Sequence, residues 1–536
     1  MLRNRILKPI ILGIRGVNFW NSTEEMAQPG NVGEALLFQN CFYRRGVQKR
    51  LGSAKHSTNQ VVSSKSIVGL HRFYYGTSDK RLIAACGTNV SEMNDSTGVW
   101  TGIRTTQTDS TMTHMVTWGA TNKMYVANGV DVPFSIDSSL VASTITAAPA
   151  TTLMLAPYRS RLFSIERTNP SSITWSDADY TTTGWTTANP LKMPGSGGCE
   201  AIFPHYLGNA VNGLESKLFI VKPTSCSLLW GLDLDPTSTN FEFRTRLDHV
   251  SDRIGTISPK SLATTPVGTI FLGSDRQVYL LPFGRNELTP IGHKIYSQTS
   301  ANIGLESIPL SQMSKAAAIY HDGFYKLTFP VSGGTSNTRQ YWLDVDKLYK
   351  DENNHYGPWY GPMTGMGISC FVHQNGSGDD GRLLGGEAGA TGFVYQLSEA
   401  GIYADVGSNI TMIFQSRHEP FANEALDARV MTSELETLDV ANTITVSFND
   451  TIGPISTSTS ISPSSTGIYW GDAYWGDEYW TGGGLPVRRK AEHYEKYITG
   501  RFFSTSVEYT SGTDDFRLFS ITHEAVPVRQ TFQVRP

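Results

Sequence analysis

The sequence predicts an all-β chain built around a β-propeller of about six to eight degenerate blades. Three observations lead there. A short grammar recurs: a basic or small residue, two or three apolar residues, a polar turn, then a second apolar run. It starts at Arg81, Lys123, Arg161, Lys217, Thr269, Phe324 and Arg382, at intervals of 38 to 58 residues. No stretch carries a convincing 3.6-residue apolar period, so helices are not expected. Aromatic residues make up 11% of the chain and charged residues only 17%, a balance that suits strands and turns rather than a charge-rich disordered tail.

The unit is clearest at residues 159–185. An alternating run from Leu162 to Ile165 meets the turn signal Asn169-Pro170, and a second run spans Ile173 to Trp175. A polar loop, 176–184, then closes on Trp185. Period-two alternation bounded by turn residues makes an antiparallel hairpin with one buried face. Blades bury their faces against neighbours, which gives Trp100, Trp118, Trp175, Trp230, Trp342 and Trp359 a packing role. The alternative is a set of unrelated hairpins spread over β-sandwiches.

A chain of 536 residues has room for a large propeller and a second domain. Residues 1–58 read as an N-terminal arm, 59–400 as the propeller and 401–536 as a C-terminal β-sandwich-like domain. Residues 451–466 read as a long Ser/Thr-rich loop. Behind it, residues 469–480 repeat an aromatic-acidic pattern that places Trp470, Trp475 and Trp480 at equal steps. The surplus apolar area marks Tyr469, Trp470, Tyr474, Trp475, Tyr479 and Trp480 as a candidate interface with another chain. Asp472, Asp477 and Glu478 would form its charged rim, facing a neighbour's Arg488, Arg489 and Lys490. The competing readings are packing under the chain's own domain and sugar stacking.

Several function classes find no support. A net charge of −4 gives no electrostatic footprint for gripping nucleic acid. No run of 18 apolar residues exists to span a membrane. The apolar start is broken by Lys8-Pro9 and reads as a first strand rather than a leader. Cys41, Cys86, Cys199, Cys226 and Cys370 stand far apart with no CxxC, which points to free, buried thiols in a reducing compartment. The histidines form no HxH or HExxH, and there is no phosphate-binding loop and no nucleophile elbow. No catalytic set, metal or cofactor is therefore expected. Asp233, Asp235, Asp379 and Asp380 offer hard oxygens for calcium but lack EF-hand spacing, so they read as turn carboxylates. The one enzyme alternative is a sialidase-like propeller, because Ser176-Asp177 and Gly184-Trp185 loosely echo the Asp-box turn.

Gly16-Val17-Asn18 opens the chain, followed by Asn40, a glycine turn at Gly46, and Lys49-Arg50-Leu51-Gly52. Further on come the strand, Ser-Asp, loop and Trp of 173–185, the strand pair of 218–231, and the segment 261–279. In this order these segments resemble the tail nozzle, hub and stabilisation proteins of short-tailed bacteriophages. The signature residues are Asn40, Gly46, Lys49, Arg50 and Gly52; Leu51 stands where that family often has proline. The resemblance covers roughly two thirds of the chain. It implies a non-enzymatic structural protein of the virion tail, assembled in the host cytoplasm. It implies a homohexameric ring that touches a portal-adaptor, fibre or needle protein. Genomic DNA would pass through without specific binding, and there would be no small-molecule substrate. The alternative is a receptor-binding or glycan-degrading tail component.

Overall fold

Each of the seven recurrences falls on the second strand of a successive four-stranded antiparallel unit, the first six being separate sheets and the seventh the start of an 11-stranded sheet that runs on into the sandwich. Those second strands are Asp79–Cys86, Lys123–Ala127, Arg161–Glu166, Glu215–Val221, Gly268–Leu272, Phe324–Pro330 and Arg382–Glu387. The reason is burial. A second strand has a hydrogen-bonded neighbour on each edge and an adjoining blade on each face, so its sequence becomes predominantly apolar. Phe324–Pro330 is buried at every position.

The computed structural model describes residues 6–20, 33–75, 79–109, 112–158, 161–176, 182–185, 190–207, 215–231, 245–296, 303–375, 379–420, 427–438, 440–450, 453–461, 486–492, 499–500 and 502–528. Among these, the blades span 67–104, 114–144, 152–192, 201–251, 263–290, 317–363 and 368–397, numbered 1 to 7 below. The innermost strand of each blade packs on the next blade in turn, and Ile368–Gln374 of blade 7 packs on Ile67–Tyr75 of blade 1, so the ring closes. The outermost strand of blade 7 comes from the other end of the chain. Ser53–Lys55 pairs antiparallel with Val394–Leu397, Leu397 opposite Ser53 and Tyr395 opposite Lys55. Hydrogen bonds between the two ends of the propeller segment thus hold the ring shut.

The segment expected to be an arm is part of the second domain. Ile6–Ile10, Cys41–Tyr43 and Val47–Lys49 join Arg517–Val528, Asp427–Leu438 and Pro486–Glu492 in one sheet. Ala35–Gln39 joins Ser408–Ser416, Phe502–Ser511, Ile444–Asp450 and Gly453–Ile461 in the other. The propeller is therefore inserted into a sandwich whose strands come from both ends of the chain. Short apolar strands such as Ala35–Gln39 cannot stand alone in water, and here Phe38 packs edge-on against Phe414 and Tyr360.

The Ser/Thr-rich stretch is likewise not a loop throughout. Gly453–Ile461 is a strand paired with Ile444–Asp450, Ile444 opposite Ile461. Alternating threonines carry β-branched side chains, which suit a strand at a sheet edge. One hydrophobic core runs from Phe414 and Val507 of the sandwich through Phe38 to Tyr325, Trp359 and Ile270 of blades 6 and 5. Trp118, Trp175, Trp342 and Trp359 are buried, while Trp100 and Trp230 are half-buried. All five cysteines are buried and free. Among the described residues no helix is long and apolar enough to cross a membrane.

Candidate functional site

The residues marked in the sequence divide into two groups. Tyr469, Trp470, Tyr474, Trp475, Tyr479 and Trp480 lie outside the described residues. So do Asp233 and Asp235. In the basic stretch behind the aromatic repeat, Arg488 and Lys490 are exposed, Arg488 lying 3.7 Å from Glu434, while Arg489 is buried and reaches Val440 O at 3.4 Å. Of the signature residues Asn40, Gly46, Lys49, Arg50 and Gly52, by contrast, Asn40, Arg50 and Gly52 gather at the junction of propeller and sandwich, and Gly46 and Lys49 lie beside them on the sandwich.

Asn40 sits between Ala35–Gln39 and Cys41–Tyr43, where the chain turns from one sheet of the sandwich to the other. Its φ of 54° is a left-handed conformation that asparagine tolerates better than most residues. Its amide is fully used. Nδ2 donates to Thr364 Oγ1 at 3.0 Å and to Thr411 O at 2.8 Å, while Oδ1 accepts from Arg50 Nε at 3.0 Å and Thr364 N at 2.7 Å. Arg50 is 1% exposed. Its Nη1 donates to Leu51 O and to Asp405 Oδ1, at 3.1 and 2.9 Å, and its Nη2 donates to Thr364 O and Asp405 Oδ2. Ser53 Oγ also donates to Asp405. This planar, bidentate pairing is one that arginine makes and lysine cannot. Thr364 links blades 6 and 7, and Thr411 is on the sandwich, so two side chains tie three parts of the molecule.

Lys49 and the two glycines complete the joint. Lys49 Nζ donates to Ser511 O at 2.9 Å and lies 5.8 Å from the ring centres of both Tyr403 and Tyr509. Burial pulls its amine down to about 8, against the opposing pull of Asp514 and Asp515. A Cβ on Gly52 would lie 2.1 Å from Ala404 O, and one on Gly46, at φ 128°, would lie 2.7 Å from Leu518 O. Only glycine allows these backbone approaches.

The opening Gly16-Val17-Asn18 makes a second joint, against blade 6. Val17 N donates to Trp359 O at 2.8 Å, and a Cβ on Gly16 would lie 2.3 Å from Trp359 O. Asn18 Nδ2 donates to Glu34, whose other oxygen is 2.5 Å from Lys294 Nζ. Asp351 and the Tyr349 hydroxyl also meet that amine, at 3.0 and 2.7 Å. Burial works against the charged amine, but Glu34 and Tyr349 outweigh it and hold Lys294 above its usual range.

The propeller axis is bridged. Lys260, at the entry to blade 5, donates to Val68 O of blade 1 at 2.9 Å and lies 3.5 Å from Ser369 O of blade 7. A gap that one lysine side chain crosses admits no duplex. The seams between blades carry histidines on the inner strands. His71 Nε2 of blade 1 is 2.7 Å from Thr117 Oγ1 of blade 2, and His114 Nδ1 accepts from Leu155 N of blade 3 at 3.4 Å. His205 Nδ1 of blade 4 is 2.9 Å from Thr269 Oγ1 of blade 5, and His321 Nδ1 of blade 6 is 2.9 Å from His373 Nε2 of blade 7. Burial pushes His71, His205 and His321 down to about 4, so all three are neutral at pH 7. Sequence reasoning missed these seams; the available signal was that each histidine falls in the first strand of a blade.

Asp379 is engaged by two protein cations and a hydroxyl. Arg72 Nη2, Lys80 Nζ and the Tyr74 hydroxyl meet it at 3.0, 2.6 and 2.7 Å. Burial alone would raise its carboxyl, but Arg72, Lys80 and Tyr74 bring it down to about 2. Asp380 pairs with Arg382 at 2.5 Å. Among the described residues no cluster of three or more His, Cys, Asp or Glu is placed to hold a metal ion. In the Asp-box echo, Ser176 accepts Arg161 on its carbonyl at 2.8 Å and Leu162 N on its hydroxyl at 2.9 Å. Trp185 Nε1 donates to Thr174 Oγ1 at 2.9 Å. These contacts hold blade 3 together; Asp177 lies outside the described residues.

No protein-family model and no curated protein matches the chain. Among solved structures, it is similar to the computationally designed Ika8 protein at 9% identity and a TM-score of 0.35, covering 63% of this chain and 99% of that one. It is also similar to the WD40 β-propeller domain of Doa1 at 9% identity and a TM-score of 0.38, covering 65% and 97%. The propeller assignment rests on the seven four-stranded units and their closure.

Proposed function

We propose that the chain is a structural component of a short-tailed phage tail, of the nozzle or hub type. What supports the reading is where its signature residues sit. Asn40 and Arg50 fasten the propeller, through Thr364, to Thr411 and Asp405 on the sandwich side, Gly52 packs on Ala404 beside them, and Gly46 and Lys49 lock the sandwich strands that carry the joint. A tail part must carry force without its domains parting. An inserted propeller, with both of its chain ends fixed in one sandwich, suits that demand. Strands from near the two ends of the sequence also pair, Ile6 opposite Ala525 and Ile10 opposite Ile521.

In this reading six copies form the ring, and DNA passes between copies rather than through any propeller, whose axis Lys260 bridges. The near-neutral net charge of −4 keeps phosphate affinity low, since each contact to a phosphate adds binding through counterion release. The aromatic repeat at 469–480 is the contact between copies or with another tail protein. Native mass spectrometry of the purified chain tests the assembly. A species at six times the 58.9 kDa chain mass supports the reading. A monomer at every concentration that also degrades host surface polysaccharide would overturn it in favour of a glycan-degrading tail component.

A further inference from the structure

We propose that the mouth of the propeller at its Lys260 end binds an acidic sugar, one or two rings bearing a carboxylate. A cavity of about 410 Å³ opens there, walled by the entries to the inner strands of blades 1, 5, 6 and 7. That volume falls in the usual range for small-ligand sites.

Charge gives half of the chemistry. Lys65, Lys260 and Lys315 line the cavity with Asp109 as the one carboxylate. Lys65 is matched to Asp109 at 2.7 Å. Lys260 donates to Val68 O at 2.9 Å and Lys315 to Thr335 O at 2.6 Å. Among the cavity's lining residues the lysines outnumber the carboxylates three to one, and burial alone works against the charge on Lys260, which an anionic ligand beside it would offset.

Asn337 gives the other half. It is 1% exposed. Its Nδ2 donates to Lys315 O and Ile368 O, both at 2.8 Å, which fixes the amide's orientation. Its Oδ1 is buried and accepts no hydrogen bond. A buried acceptor left unmet is unfavourable and rare in a native protein. A ligand that brings an O–H or N–H donor together with a negative charge would match both features. A sugar acid supplies both, its carboxylate to Lys260 and Lys315 and a hydroxyl to Asn337. Four serines in the wall offer partners for further hydroxyls. No aromatic side chain lines the cavity, which argues against a nucleobase, because bases are usually held by stacking.

This inference stands apart from the tail reading: loss of sugar binding would leave ring assembly intact, and a monomer would keep the cavity. The test is calorimetric titration of the full chain with glucuronate, with glucose and with inorganic phosphate. Saturable one-to-one binding of glucuronate in the ~millimolar range, at least about tenfold tighter than glucose or phosphate, is expected. Lys315→Gln, on a half-exposed residue, should weaken it about tenfold with the circular dichroism spectrum unchanged. Asn337→Asp should weaken it further, by losing the Nδ2 donor and repelling the carboxylate. Absent glucuronate binding, equal binding of glucose, phosphate binding as tight as the sugar acid, or an unaltered Lys315→Gln variant would each overturn the proposal.

Discussion

Acid should open the propeller at its histidine seams, and His205 shows by how much. This residue is fully buried, with Nδ1 against Thr269 Oγ1 of the next blade and its ring 5.5 Å from that of Phe283. Its Nε2 has no partner, so a proton added there would be a buried charge without an acceptor. Burial, and then Lys217, push it down to about 4, whereas an unfolded histidine titrates near 6.5. The folded state therefore binds fewer protons than the unfolded state between about 4 and 6.5. Stability is intact above that window and falls as the pH drops through it. For His205 the loss amounts to about 3 kcal/mol by pH ~4. His71, His114 and His321 are pushed down by burial as well and act in the same direction. Together they compete with the whole 5–15 kcal/mol stability of an ordinary domain, roughly speaking. Urea unfolding followed by circular dichroism from pH ~7.5 to ~4 reads this directly. His205→Asn keeps a polar atom near Thr269 and cannot titrate. Its stability should fall less steeply with acid than that of the natural chain, the difference between the two slopes reaching about 3 kcal/mol at the acid end. A natural chain equally stable at both ends of the range, or a variant with the same slope, would refute the reasoning.

Two other perturbations follow from buried charges. Arg50→Met leaves Asp405 buried without its bidentate partner and should cost about 3–5 kcal/mol in urea unfolding; adding Asp405→Leu should recover most of that loss, and simple additivity would contradict the coupling. Burial holds the Lys326 amine down to about 7, so the folded state binds fewer protons between about 7 and 10.5, and the natural chain should gain stability as pH rises through that window. Lys326→Met should lack this gain, a difference of about 3 kcal/mol by pH ~9.5, and equal slopes in the two proteins would rule it out.

The blades were legible because their second strands are buried on both faces. Phe324–Pro330 and Gly268–Leu272 are buried at every position and stand out as mostly apolar segments, Lys326 and Thr328 being the polar exceptions in the first. The first domain boundary was not legible, because Ile6–Ile10 pairs with strand Arg517–Val528 at the far end of the chain and no local pattern announces so distant a partner. Gly453–Ile461 hid for a different reason: a Ser/Thr-rich edge strand has the composition of a loop. The importance of Arg50 came through resemblance, whereas its mechanics depend on Asp405, 355 positions away. The histidine seams were invisible as a motif, since His71, His114 and His205 each stand alone in their own strand and meet a partner only across a blade boundary.

The central claim is that this chain builds a ring whose lumen lies between copies. Cryo-electron microscopy of the assembled full chain in the presence of duplex DNA tests it most directly. The account predicts six copies around a lumen wide enough for a duplex, every propeller axis closed by Lys260, and residues 469–480 at contacts between chains. Dispersed single copies, or DNA density threading a propeller axis, would contradict it.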